Sequence, residues 1–211
     1  MNLVRRTVKD AAIGVGMADD PADLGTFVQP GCAAAIWRRK MPPDVQVWLD
    51  GIDSEGLPRA RVILPPHAVG EAVQHLFDMA NLPDGSERDW LQQDIVGLAD
   101  MFSDLMKARF VRLRLDVVTT NACRKFHVDA ITARLVCTYR GTGTQYGISS
   151  DGADPQRFFT VQTGSPILLR GTLWPAEPSS GLLHLSPPIE GTGETRLVLV
   201  LDPVTDPEDE I

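Results

Sequence analysis

The spacing of the apolar residues changes once along this chain, and that change limits the folds open to it. Val69, Ala72, Val73, Leu76, Phe77 and Ala80 recur at helical spacing, and Asn81 and Pro83 end the run. Leu91, Ile95, Leu98, Phe102 and Leu105 mark a second helix. Ser86 with Asp89 three residues on reads as a variant capping box at its start. Beyond Lys107 the period becomes two: Val111, Leu113, Leu115 and Val117 alternate with Arg112, Arg114 and Asp116, the pattern of a half-buried strand. Further strand-like segments follow at 123–128, 133–139, 144–148, 158–161, 166–170, 181–185 and 195–201, with Gly, Pro, Asp and Ser clusters between them. About eight short strands in one hundred residues predict a jelly roll or a related barrel.

The first part of the chain is less regular. Residues 1–30 carry Gly, Asp and Pro without a period and read as a loosely structured lead-in. Residues 33–37 fit a strand or one helical turn, and Pro42 and Pro43 introduce a short helix ending near Gly51. The expected organisation is a mainly helical segment over 1–106, a β domain over 107–203 and an acidic, frayed tail over 204–211. Together they make one compact α+β unit, with the helices packing their apolar stripes on the outside of the strands.

Bulk properties narrow the function classes. No run approaches the ~18–20 apolar residues of a membrane span. Arg5, Arg6 and Lys9 precede a stretch broken by Gly14, Gly16 and Asp19, which does not make a secretory signal. The net charge is −8 and the longest basic cluster is Arg38-Arg39-Lys40, which argues against nucleic acid as a partner. The three cysteines, Cys32, Cys123 and Cys137, are odd in number and lack the spacing of a disulfide framework. A reducing cytoplasm is the expected compartment, with neither membrane nor nucleic acid as partner.

Four histidines, His67, His75, His127 and His184, stand among 28 acids. His127 and Asp129 are two residues apart, so on a strand both point to one face and can reach one metal ion. His184 lies in a later strand-like segment. Twelve positions on, Arg196 heads a strand and shares a face with Val198 and Val200. If that face lines the interior, the guanidinium needs an anionic partner, because a lone buried charge is costly. A bound dicarboxylate supplies one with paired hydrogen bonds. The plainer alternative is a core histidine bonded to Asp129, with His184 at a strand edge. Gly141-Thr142-Gly143-Thr144 lacks the Gly-Lys-Ser/Thr ending of a phosphate loop and reads as a hairpin turn. Arg134 and Arg170 are either further active-site cations or paired surface charges, and Arg170 is assigned to the second class.

This order of residues resembles the iron(II)/2-oxoglutarate-dependent dioxygenases, over residues 110–202. The resemblance implies a double-stranded β-helix in which His127, Asp129 and His184 hold Fe(II) and Arg196 binds the far carboxylate of 2-oxoglutarate. The segment 127–139, with Arg134 and Tyr139, is similar to the prolyl-hydroxylase branch, which places both residues at the cosubstrate. Many dioxygenases carry Ser two positions after the cosubstrate arginine; here Val198 stands there, and Tyr139 or Thr138 is the candidate replacement hydroxyl. Taken whole, the chain resembles an uncharacterised bacterial family associated with metal-responsive GTPases. The implied activity is hydroxylation of a small-molecule or protein substrate. The alternatives are a non-catalytic metal-binding barrel, with Zn(II) if Cys123 or Cys137 ligates, and an interaction module that merely keeps the site.

Overall fold

The computed structural model describes residues 11–149 and 153–210 of the 211-residue chain. The strands, in chain order, are β1 (Gly14–Ala18), β2 (Cys32–Trp37), β3 (Ala60–Leu64), β4 (Phe110–Val118), β5 (Ala133–Arg140), β6 (Gln145–Ile148), β7 (Phe158–Thr160), β8 (Pro166–Arg170), β9 (Leu182–Leu185) and β10 (Arg196–Val204). The helices are α1 (Pro43–Gly51), α2 (Val69–Met79) and α3 (Ser86–Met106).

The strands form a seven-stranded sheet, β1-β2-β8-β5-β10-β4-β3, and a three-stranded sheet, β7-β6-β9. Every pairing is antiparallel except that of β1 with β2. Side chains of the large sheet such as Val136, Ile167, Leu169, Val198 and Val200 cluster with Tyr146, Leu182 and Val161 from the region of the small sheet. Their strand neighbours Leu135, Cys137, Leu168, Leu197, Leu199 and Leu201 cluster instead with Leu91, Ile95, Leu98 and Phe102 of α3. The fold is therefore an α+β jelly roll with the helices on the outer face of its large sheet. Burial on both faces explains why β10 reads as a continuous apolar run rather than an alternation.

The structure corrects several sequence expectations. The segment 1–106 carries strands beside its helices: it supplies β1, β2 and β3, and β2 lies inside the large sheet between β1 and β8. The small side chains of β2 carry little strand preference of their own, so its state is set by β8, which follows more than one hundred residues later. The supposed lead-in contains β1 and a 3-10 turn over Pro21–Val28, whose first N–H groups are met by Asp20: the Ala22 amide donates to its carboxylate at 2.8 Å; residues 1–10 lie outside the described part. No capping box forms at α3. Gly85 is the cap, Ser86 is already the first helical residue, and its hydroxyl donates to Glu87 at 3.1 Å. At the other end β10 runs on through Val204, and Pro207–Glu210 form a 3-10 turn, so the tail is not wholly frayed. Among the described residues no helix is long and apolar enough to cross a membrane.

Candidate metal centre

His184 sits on β9, but 123–128 is not a strand. It is a loop that meets β9 at one isolated bridge, His127 with His184. Each histidine donates its backbone N–H to the other's carbonyl at 3.0 Å. Direct pairing places the two imidazoles side by side, with ring centroids 4.5 Å apart. Asp129 follows where the chain turns toward β5. Its Oδ1 is 3.5 Å from His127 Nε2 and its Oδ2 3.1 Å from His184 Nε2. Backbone contacts pin this turn: Thr172 N–H donates to the Asp129 carbonyl at 2.9 Å and Gly171 N–H to that of Thr132 at 3.0 Å. Gly171 has to be glycine, because a Cβ there would fall 1.9 Å from the Ile131 carbonyl oxygen.

Among the described residues, His127, Asp129 and His184 are the one cluster of three ligand side chains, with one ligand atom from each within 4.8 Å of the others. Metal–ligand bonds of about 2.0–2.2 Å place neighbouring ligand atoms roughly 3.0–3.5 Å apart, and each imidazole Nε2 stands at that distance from one of the two carboxylate oxygens. The tautomers also agree. His127 Nδ1 lies 2.8 Å from the Lys125 carbonyl. A carbonyl can only accept, so Nδ1–H is the donor there and Nε2 is the ring nitrogen turned toward the cluster. Burial pushes the His184 imidazole toward its neutral form, the form that binds metal, against the opposing pull of Asp129. Burial alone would raise the Asp129 carboxyl, but His184, Arg134 and His127 outweigh it and hold it down to about 2. Two imidazoles and one carboxylate fit the triad that non-haem Fe(II) takes with positions left open. Cys123 lines the adjoining cavity without entering the cluster. Cys137 is buried on the helical side of the sheet, and burial pushes its thiol up to about 12.

The cavity beside the cluster has a volume of about 160 Å³. Its walls include Val136 of β5, Val198 and Val200 of β10, and three arginines, Arg114, Arg134 and Arg196. Arg134 does not stand ready for a cosubstrate. Its Nε and Nη2 donate to Asp202 at 2.7 and 2.8 Å, and its Nη1 is 2.7 Å from Asp129 Oδ2. It links the candidate metal ligand to a buried acid. Arg196 is 2% exposed and meets neutral acceptors only: the Thr142 carbonyl at 2.6 Å, Ser186 Oγ, and Thr138 Oγ1 at 3.3 Å. Burial draws its pKa down to about 10, with Glu194 alone opposing.

Tyr139 does not reach the cavity. It is five positions from Arg134, and an odd offset on a strand reverses the face. The register against β10 also shifts between Leu197 and Val198, leaving Tyr139 the extra residue of a bulge. Its hydroxyl donates to Asp94 of α3 at 2.6 Å, and Arg39 donates to the same carboxylate at 2.5 and 2.7 Å. Thr138, one residue earlier, is the hydroxyl that meets Arg196. Arg170 is not a surface charge either. It is 3% exposed, donates to the carbonyls of Phe27 and Gln29 at 2.8 and 2.6 Å, and lies 4.3 Å from the Trp174 ring. Sequence reasoning passed over Asp202, Ser186 and Arg114. Asp202 did leave a signal, since an acid on the same alternating face as Arg196, Val198 and Val200 requires a cation.

Residues 18–202 match the model of a family described as protein of unknown function, DUF1826. No curated protein matches the chain. Many solved structures are similar, among them two dioxygenases. One is the dioxygenase for auxin oxidation 1 from Arabidopsis thaliana, a complex with 2-oxoglutarate, at 11% identity and a TM-score of 0.51, covering 94% of this chain and 97% of that one. The other is the dioxygenase for auxin oxidation in rice, at 12% identity and a TM-score of 0.52, covering 93% and 84%. At these identities the likeness is one of fold.

Proposed function

We propose that this chain, which belongs to the DUF1826 family of proteins of unknown function, is an iron(II)- and 2-oxoglutarate-dependent oxygenase. The observation that carries the reading is one cavity lined both by the His127, Asp129 and His184 cluster and by Arg196, a buried cation with no carboxylate on it. The likeness of fold to dioxygenases, one of them solved with 2-oxoglutarate, supports it. Bound iron would supply oxygen activation coupled to decarboxylation of the keto acid, with succinate as the coproduct.

The remaining work falls to the chain's own residues. His127 and His184 would present their Nε2 nitrogens, and Asp129 would supply the single negative charge that balances part of the dication's. Arg134 holds one oxygen of that carboxylate and limits its rotation. Arg196, propped by Thr138, Ser186 and the Thr142 carbonyl, offers its planar donors to the distal carboxylate of the cosubstrate. Val136, Val198 and Val200 keep the wall between these groups apolar and exclude water there.

The test is anaerobic titration of the protein with iron(II) and then 2-oxoglutarate. A visible charge-transfer band is expected, followed by succinate once oxygen is admitted. Neither band nor succinate from iron-loaded protein overturns the reading and leaves a metal-binding barrel without oxygenase activity.

A further inference from the structure

We infer that Arg114 anchors an anionic group of the substrate, and that the substrate is a small monocarboxylic acid with an apolar body. The inference rests on the oxygenase reading for the chemistry done in the cavity. Arg114 belongs to β4 and lines the same cavity as the metal cluster and Arg196. Its Nε–H is buried and meets no acceptor. Its nearest carboxylate, Asp116, is 3.9 Å from Nη1, beyond a hydrogen bond. The other two cavity arginines are engaged: Arg134 by two carboxylates, Arg196 by three neutral oxygens.

Position separates Arg114 from the cosubstrate cation. Arg114 stands opposite Val200 in the β4–β10 register, and Arg196 lies four residues earlier on β10. That is about 13 Å of strand between their backbone positions, and we assign each guanidinium an anionic group of its own. Between the two positions the wall is formed by Val198 and Val200, which suits a hydrocarbon portion. A groove of about 550 Å³ adjoins the cavity, shares Asp116 and Val118 with it, and carries Arg59 and Arg61. Arg61 is the register partner of Arg114. Arg59 and Arg61 against Asp116, the one carboxylate that lines the groove, make this approach positive, which favours entry of an anion. Burial, then the charge of Arg134, lowers the Arg114 pKa against the pull of Asp202 and Asp116. A carboxylate accepting from Nε and one Nη would satisfy the orphaned donor and supply the missing charge.

The probes are butyrate, hexanoate and phenylacetate, each beside its neutral amide. Each is titrated calorimetrically into full-length protein, both metal-free and loaded anaerobically with iron(II) and 2-oxoglutarate. At least one acid is expected to bind and its amide not, and in the loaded protein that acid shifts the charge-transfer band. Arg114→Gln should weaken the acid about ten- to a hundredfold while leaving 2-oxoglutarate affinity unchanged. Arg114→Lys should recover part of the loss, and an unchanged melting temperature excludes a folding defect. Binding of no acid, equal binding of acid and amide, or undiminished acid binding by Arg114→Gln overturns the inference. So does a loss of 2-oxoglutarate affinity in that variant, which would assign Arg114 to the cosubstrate. If the wild-type protein shows no band yet binds an acid through Arg114, the oxygenase reading fails and the anion site stands.

Discussion

Two arginines in one cavity wall differ in what satisfies them, and that difference separates their roles. Arg134 is neutralised by Asp202 and Asp129, whereas Arg196 is solvated by hydroxyl and carbonyl oxygens that carry no charge. Arg196→Ala should therefore weaken 2-oxoglutarate about ten- to a hundredfold, since a charged hydrogen bond is worth about 1.5–3 kcal/mol. Iron affinity should remain close to wild type, and the charge-transfer titration reads both. Asp202→Asn should act on the other ligand. It leaves Arg134 without its bidentate partner, frees the guanidinium to pull Asp129 out of place, and lowers metal affinity by about ten- to a hundredfold, as loss of an outer-shell partner does. Titration with cobalt(II), followed by its visible absorption, measures this without turnover. Unchanged cobalt affinity would mean that Asp202 only compensates charge.

At the scale of elements, helix α3 carries the outer core. Leu91, Ile95, Leu98 and Phe102 lie against the large sheet, and Asp94 on the same helix holds Arg39 and Tyr139. The helix closes on Lys107, which adopts a left-handed conformation at φ 52°. A side chain with a Cβ pays for that conformation, and glycine does not. Lys107→Gly should stabilise the protein by about 0.5–1 kcal/mol, the left-handed penalty less the added freedom of the unfolded chain. The midpoint of a urea transition measures it, and a lower midpoint would show that the Lys107 side chain contributes more than its backbone costs. The bulge in β5 belongs to this scale too. It places Tyr139 and Arg140 in succession on the helical side, where Arg140 donates to the carbonyls of Leu49 and Ile52 at 3.1 and 2.5 Å.

For the whole molecule, the core is shared across residue 107. A fragment of residues 107–211 would keep seven strands but lose β2 from beside β8, β3 from beside β4, and the helix that covers Leu135, Leu197, Leu199 and Leu201. Each large apolar side chain re-exposed forfeits roughly 1.5–3 kcal/mol, and two sheet edges would open to aggregation. The fragment is expected to be insoluble or to melt without a cooperative transition, as read by circular dichroism and calorimetry. A soluble fragment with a sharp transition would show that the first 106 residues are dispensable to the core.

The local period alone determined α2, α3 and β4, because a stripe of apolar residues depends only on its own spacing. It also located most later strands to within a residue or two. The residue types that the structure brings together at the candidate metal centre, with Arg196 on the same cavity, could be read in the sequence because imidazole, carboxylate and guanidinium groups are recognisable wherever they stand. Only the tertiary structure decided how His127 meets His184, since a single backbone bridge does it where a strand was expected. Only the pairing of β5 with β10 decided that Thr138 and not Tyr139 faces Arg196, because the face of a strand residue follows from register and bulge. Likewise Arg134 became the partner of Asp202, and residues 32–37 a strand, through contacts with segments far along the chain. Such pairings are long-range choices among many possible neighbours, and no local pattern encodes which one the folded chain makes.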